Sequence, residues 1–181
     1  MKSARKMFVL LVFVLVFIGM TPACTVYAKT QAVEMNRANY KKAHSFTSGN
    51  TRVRLKKRKN RTLYLKFKAP KDGHYSITLS DFNVKSKNRL QKGEFRFYTK
   101  SGKRLKPINF RIGNLTGNRL VVCTEELFER EMLKGDGSIY SVLPARTGVI
   151  RLKKGQVLYL GGNFSKNCTF RISCRHFINK W

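Results

Sequence analysis

From Thr51 onward the apolar residues fall on every second position. Val53 and Leu55 alternate with Arg52, Arg54 and Lys56. Leu63, Leu65 and Phe67 share one face, and Tyr64, Lys66 and Lys68 the other. Tyr75, Ile77 and Leu79 alternate with Ser76, Thr78 and Ser80, and Phe95 and Phe97 follow in Gly-Glu-Phe-Arg-Phe-Tyr. The pattern returns at 120–123, 139–143, 149–152 and 157–160, and in Cys168-Phe170-Ile172-Cys174. A period of two places one set of side chains on a buried face and the other in water, as a β-strand does. Turn residues punctuate these runs: Pro70-Lys71-Asp72-Gly73, Ser101-Gly102, Lys153-Lys154-Gly155 and Gly161-Gly162-Asn163. Many short alternating strands between regular turns predict an all-β fold, an antiparallel, jelly-roll-like β-sandwich over residues 51–181.

Two stretches depart from the pattern. Residues 29–50 are polar and end in Thr-Ser-Gly-Asn, which predicts an irregular lead-in with room for a helical turn or an edge strand. Glu125–Lys134 holds four of the nine acidic residues and spaces Phe128 and Met132, and Glu126 and Arg130, four apart. That spacing predicts a short helix or lid between strands. The strand pattern also carries an echo. Arg54-Leu55-Lys56-Lys57, Leu63-Tyr64-Leu65 and Tyr75-Ser76-Ile77 are matched by Arg151-Leu152-Lys153-Lys154, Leu158-Tyr159-Leu160 and Phe170-Arg171-Ile172, as in a two-fold pseudo-repeat of a sandwich.

The N-terminus is of another kind. Lys2, Arg5 and Lys6 precede an apolar run from Met7 to Met20, and Val26-Tyr27-Ala28 puts small residues where signal peptidase reads. This predicts a secretory signal peptide over residues 1–28, cleaved after Ala28. The apolar run is shorter than the roughly 20 residues that a membrane span needs. Lipidation at Cys24 is the alternative, but Thr21 stands where a lipoprotein signal has an aliphatic residue.

Charge then narrows the partners. The chain has 38 Lys and Arg against 9 Asp and Glu; after cleavage at Ala28, 35 against 9 remain, a net charge of +26. Such a charge attracts polyanions. Export puts cytoplasmic nucleic acid out of reach and leaves an anionic cell-wall polymer or glycan as the expected ligand. From Arg52 to Lys71, ten of twenty residues are basic and none is acidic. Within this stretch Arg52, Arg54, Lys56, Lys57, Arg58, Lys59 and Arg61 are the candidate polymer-binding residues. Arg supplies forked contacts and Lys a point charge, and Tyr64 on the outer face adds a ring for stacking. The alternative function is a structural subunit of the cell surface that meets a surface protein partner and has no specific ligand.

Three cysteines follow the signal: Cys123, Cys168 and Cys174. An oxidising compartment permits one disulfide among them. Cys168 and Cys174 lie six residues apart on one predicted strand, about 20 Å, beyond the roughly 7 Å that a bridge spans. Either Cys123 pairs with one of them or all three are buried thiols. With His176 they offer a zinc set in composition, but C-x5-C-x-H is not a usual ligand spacing, so no metal and no cofactor is predicted. No G-x-S-x-G, H-E-x-x-H or P-loop occurs, and the expectation is a binding module rather than an enzyme.

Two segments together carry a family resemblance. Leu63–Leu79, LYLKFKAPKDGHYSITL, and Gly148–Phe164, GVIRLKKGQVLYLGGNF, each join two strands through a Lys- and Gly-bearing turn. Over about Thr51 to Phe177 the chain resembles the bacterial pre-peptidase C-terminal domain and related CUB-like jelly rolls of exported proteins. The resemblance implies a compact antiparallel sandwich serving as an accessory module. The chain lacks an evident acidic cluster for calcium at the matching loops.

Overall fold

The computed structural model describes residues 30–56, 61–109, 119–133, 146–164 and 166–178. The signal segment therefore lies outside the described residues, as do Lys57, Arg58 and Lys59 and the strand expected at 139–143. Among the described residues no helix is long and apolar enough to cross a membrane.

The alternating segments form two sheets. In the first, β3 (Gly49–Leu55), β12 (Cys168–Phe177), β5 (Gly73–Val84) and β10 (Thr147–Leu152) lie side by side, all antiparallel. In the second, β4 (Leu63–Lys68), β11 (Val157–Gly162), β6 (Lys92–Tyr98) and β9 (Leu120–Cys123) do the same. Followed through these eight strands, the chain switches sheet at every step from β3 to β6, takes β6 and β9 one after the other in the second sheet, and then alternates again. That order is two interleaved Greek keys, the jelly roll. Shorter strands extend the sheets: β7 (Arg104–Leu105) shares the β6 edge with β9, and β8 (Ile108–Asn109) pairs with β10.

The lead-in carries both of the features it had room for. β1 (Gln31–Met35) adds to β3 and β2 (His44–Ser45) adds to β4, each in parallel. Between them Tyr40–Lys42 makes one turn of 3-10 helix, with the Asn39 side chain accepting from the Lys41 N–H. The acidic segment is helix α1 (Glu125–Leu133), with Glu125 and Glu126 in its first turn, where the helix dipole favours them.

The inward residues are those that alternation selects. Val53, Leu55, Leu63, Leu65, Phe67, Tyr75, Ile77, Leu79, Phe95, Phe97, Phe170 and Ile172 are all buried between the sheets. Rings bridge the layers: Phe95 meets Phe170 edge-on at 4.8 Å, and Phe67 meets Tyr75 at 5.1 Å. The buried Tyr75 hydroxyl reaches the turn, donating to the Lys71 carbonyl at 2.8 Å, so its polar end is satisfied.

β5 changes phase partway. Asp81 adopts φ 52°, a left-handed conformation that Asp tolerates better than most residues. Against β12, Thr169 faces Asn83 while Arg171 faces Ser80, so β5 holds one extra residue there, a β-bulge. Beyond it Phe82 and Val84 point inward and Asp81 emerges on the outer face.

Candidate anion-binding face

The outer face of the first sheet is dominated by arginine. On β3, Arg52 and Arg54 are exposed between the buried Thr51, Val53 and Leu55. On β12, Arg171 and Arg175 are exposed between the buried Phe170, Ile172 and Cys174. Arg151 is exposed on β10. Ser76, Thr78, Ser80, Thr147, Thr169 and Ser173 fill positions between them, all partly exposed. Thr78 and Thr147 join across the β5–β10 ladder through their hydroxyls at 2.8 Å. Guanidinium groups set among hydroxyls suit anionic oxygens, because both donate and the fork adds directional specificity.

Register brings the arginines together. Arg52 stands directly opposite Arg171 in the β3–β12 ladder, and Arg52 and Arg54 are two residues apart, about 7 Å along the strand. Like charges opposed in this way repel. The bulge relieves part of that repulsion, since it presents Asp81 to Arg171 at 3.0 Å. Arg54 is flanked on its other side by Glu34 of β1. That carboxylate hydrogen-bonds Lys56 at 2.9 Å, and its pKa is lowered chiefly by this hydrogen bond, with the Lys56 and Arg54 charges adding to the effect.

Beyond Arg52 and Arg171 the face runs into a groove of about 820 Å³. Arg89, Arg146, Glu125, Glu126 and Phe128 form its far wall. Thr124 anchors that wall, its hydroxyl donating to the Arg89 carbonyl and accepting from the Gln91 N–H at 3.2 Å. Arg89 pairs with Glu126 at 3.5 Å. The Arg146 guanidinium lies 4.7 Å from the Phe128 ring centroid and donates to Cys123 Sγ at 3.4 Å.

The structure divides the sequence-selected basic stretch. Arg52 and Arg54 belong to the arginine face. Lys56 is tied to Glu34 and offers less charge to a ligand than the sequence suggests. Lys57, Arg58 and Lys59 lie outside the described residues. Arg61 sits on the other side of the sandwich, lining a shallow depression with Ala38, Asn39, Thr62 and Tyr64, because the chain crosses from one sheet to the other between β3 and β4. Sequence reasoning missed Arg171, Arg175 and Arg151, the nearest of which stands 97 residues beyond Arg54 (151 − 54). Arg171 and Arg175 carried a signal all the same, since they alternate with Cys168, Phe170, Ile172 and Cys174.

The three cysteines are free and buried. Cys168 and Cys174 both point inward from β12, which runs unbroken between them as the distance argument requires. Burial pushes each of these thiols up to about 12. Cys123 is raised by burial too, offset in part by the Arg146 charge and its hydrogen bond.

Strand order and the outer faces define a basic double-sheet jelly roll whose first sheet presents arginines and hydroxyls to solvent. Comparison with solved structures finds the pre-peptidase C-terminal domain of collagenase from Bacillus anthracis, at 9% identity and a TM-score of 0.37, over 74% of this chain and 94% of that domain. The neighbour comes from the group that the sequence resembles. The jelly-roll assignment rests on strand order. No protein-family model matches the chain, and no curated protein matches it.

Proposed function

We propose that this is an exported binding module of the cell envelope that attaches electrostatically to an anionic polymer or glycan through the outer face of its first sheet. The observation that carries the reading is the convergence of Arg52, Arg54, Arg171 and Arg175 from two adjacent strands onto one hydroxyl-rich surface. A rigid sheet holds these side chains at fixed spacing, so less ordering entropy opposes binding than on a loop. Export supports the choice of ligand, because phosphate- or carboxylate-rich polymers are the polyanions met outside the cell.

The test uses immobilised poly(glycerol phosphate) and a salt titration. Replacing Arg52, Arg54, Arg171 and Arg175 by Gln removes four charges and leaves the inward residues intact. If all four contact the polymer, the slope of log affinity against log salt falls by about three, taking roughly 0.7–0.9 per neutralised phosphate as for nucleic acids. The control variant replaces Lys41, Lys42, Lys100 and Lys103 by Gln; these four are exposed in the 3-10 turn and in the β6–β7 turn, on the second-sheet side of the sandwich. Equal loss in both variants would show that bulk charge, not this surface, does the binding. Retention that ignores salt would instead support a structural subunit joined through a protein interface.

A further inference from the structure

The outer face of the second sheet has a different character. Four of the seven tyrosines gather there: Tyr64 on β4, Tyr159 on β11, Tyr98 on β6, and Tyr40 from the 3-10 turn. Tyr159 lies between Lys66 and Tyr98 in register, and Gly161 lies between Tyr64 and Arg96. The rings meet edge to face, Tyr40 with Tyr159 at 5.2 Å and with Tyr64 at 6.2 Å, and Tyr64 with Tyr98 at 5.7 Å. Tyr40 covers Tyr159, which is 6% exposed, whereas Tyr64 and Tyr98 remain partly open to solvent.

Gly161 makes this arrangement possible. A Cβ there would meet Tyr98 Cε2 at 2.7 Å and Tyr64 Cε1 at 2.8 Å, so the two rings occupy the space that a side chain would fill. They are held by the sheet and by each other, and present apolar area that needs little further ordering. Tyrosine used in this way gives rigid, amphipathic contact area at low entropic cost, and Tyr and Arg are over-represented among residues that dominate binding energy. The rim is basic: Lys66, Lys68 and Arg96 on the strands, Arg104 opposite Tyr98, and Arg61 beside Tyr64. The one acidic side chain on these strands, Glu94, is engaged by Arg119 at 2.9 Å.

We infer that this face is a second binding site, for an acidic polysaccharide whose sugar rings lie on Tyr64 and Tyr98 and whose carboxylates meet Lys66 and Arg96. Charge complementarity selects an acidic ligand, and the exposed ring area selects one made of rings rather than of phosphate alone. The inference goes beyond the arginine face and adds a contact that salt does not screen.

The experiment compares two polymers on the full-length mature chain. Polygalacturonate has acidic pyranose rings; inorganic polyphosphate has charge and no rings. The Tyr64→Ala/Tyr98→Ala variant is expected to lose about tenfold in affinity for polygalacturonate, equivalent to about 1.4 kcal/mol, and to hold polyphosphate unchanged. Lys66→Gln/Arg96→Gln is expected to weaken polygalacturonate binding at low salt only. As a check independent of mutation, a galacturonate oligomer should shift the ring resonances of Tyr64 and Tyr98 in the unaltered protein. An equal loss on both polymers, or unmoved tyrosine resonances at saturating oligomer, would overturn the assignment and leave the tyrosines as packing for the sheet exterior. Failure of the arginine-face reading would be seen separately, as unchanged polymer binding and salt slope in the four-arginine variant.

Discussion

Alkaline stability offers a quantitative test of the core. Cys168 and Cys174 are buried thiols raised from 9.0 to about 12 by desolvation. The native state therefore holds these two protons more tightly than the unfolded chain does. Their contribution to stability is complete below pH 9 and is lost as pH rises from 9 towards 12. Within that window each thiol costs about 1.4 kcal/mol per pH unit. Between pH 8 and pH 10 the pair should remove about 3 kcal/mol, a large share of the roughly 5–15 kcal/mol typical of a domain. The measurement is denaturant unfolding at pH 8, 9 and 10, with and without a reductant, on the parent chain and on Cys168→Ala/Cys174→Ala. Subtracting the two curves cancels the titration of Lys and Tyr and leaves the thiols. A difference that does not change with pH would mean that the thiols do not titrate as buried groups, and would refute the burial argument. Half the expected change, restored to the full change by reductant, would mean that one of them is bonded to Cys123. That outcome would overturn the free state of the three cysteines and favour the disulfide pairing left open by the sequence.

Two further outcomes follow from the same core and from the N-terminus. Phe170→Ala removes a fully buried ring that spans the two sheets against Phe95 at 4.8 Å, and should cost about 3–5 kcal/mol, read as a lower denaturant midpoint at unchanged slope. N-terminal sequencing of the exported protein should begin at Lys29; a lipid-bearing start at Cys24 would make the protein a lipoprotein instead.

Local signals in the sequence were sufficient for the strands and their faces, because a period of two decides which side chains are buried wherever one face is packed. Val53, Leu65, Ile77 and Phe170 are inward for that reason alone. The phase change in β5 was less legible. Alternation stops at Leu79, and only the bulge at Asp81 explains why Phe82 and Val84 rejoin the core and how a carboxylate reaches Arg171. The arginine face was half visible. Arg52 and Arg54 stood out in a dense basic run, whereas Arg171 and Arg175 are separated by apolar residues and gain their meaning only from the pairing of β12 with β3. Non-local pairing of this kind depends on which strand closes the sheet, and no short window contains it.

The internal echo shows where sequence and topology meet most closely. The triplets β3-β4-β5 and β10-β11-β12 each pass from the first sheet to the second and back. Exchanging one triplet for the other maps the β3–β12 pair onto β10–β5 and leaves the β4–β11 and β5–β12 pairs in place. The echo is thus a pseudo-two-fold relation between halves, and it assigns equivalent places to Tyr64 and Tyr159. Both point outward on adjacent strands of the second sheet, and both contact Tyr40. Equivalence does not give them equal exposure, because Tyr40 closes over one and leaves the other partly open. The symmetric jelly roll supplies a pair of outward tyrosines; the lead-in, which lies outside the repeat, makes the pair unequal. A ligand on this face would meet Tyr64 and Tyr98 first, and that asymmetry is why those two, rather than Tyr159, are the residues whose removal separates a binding role from a packing one.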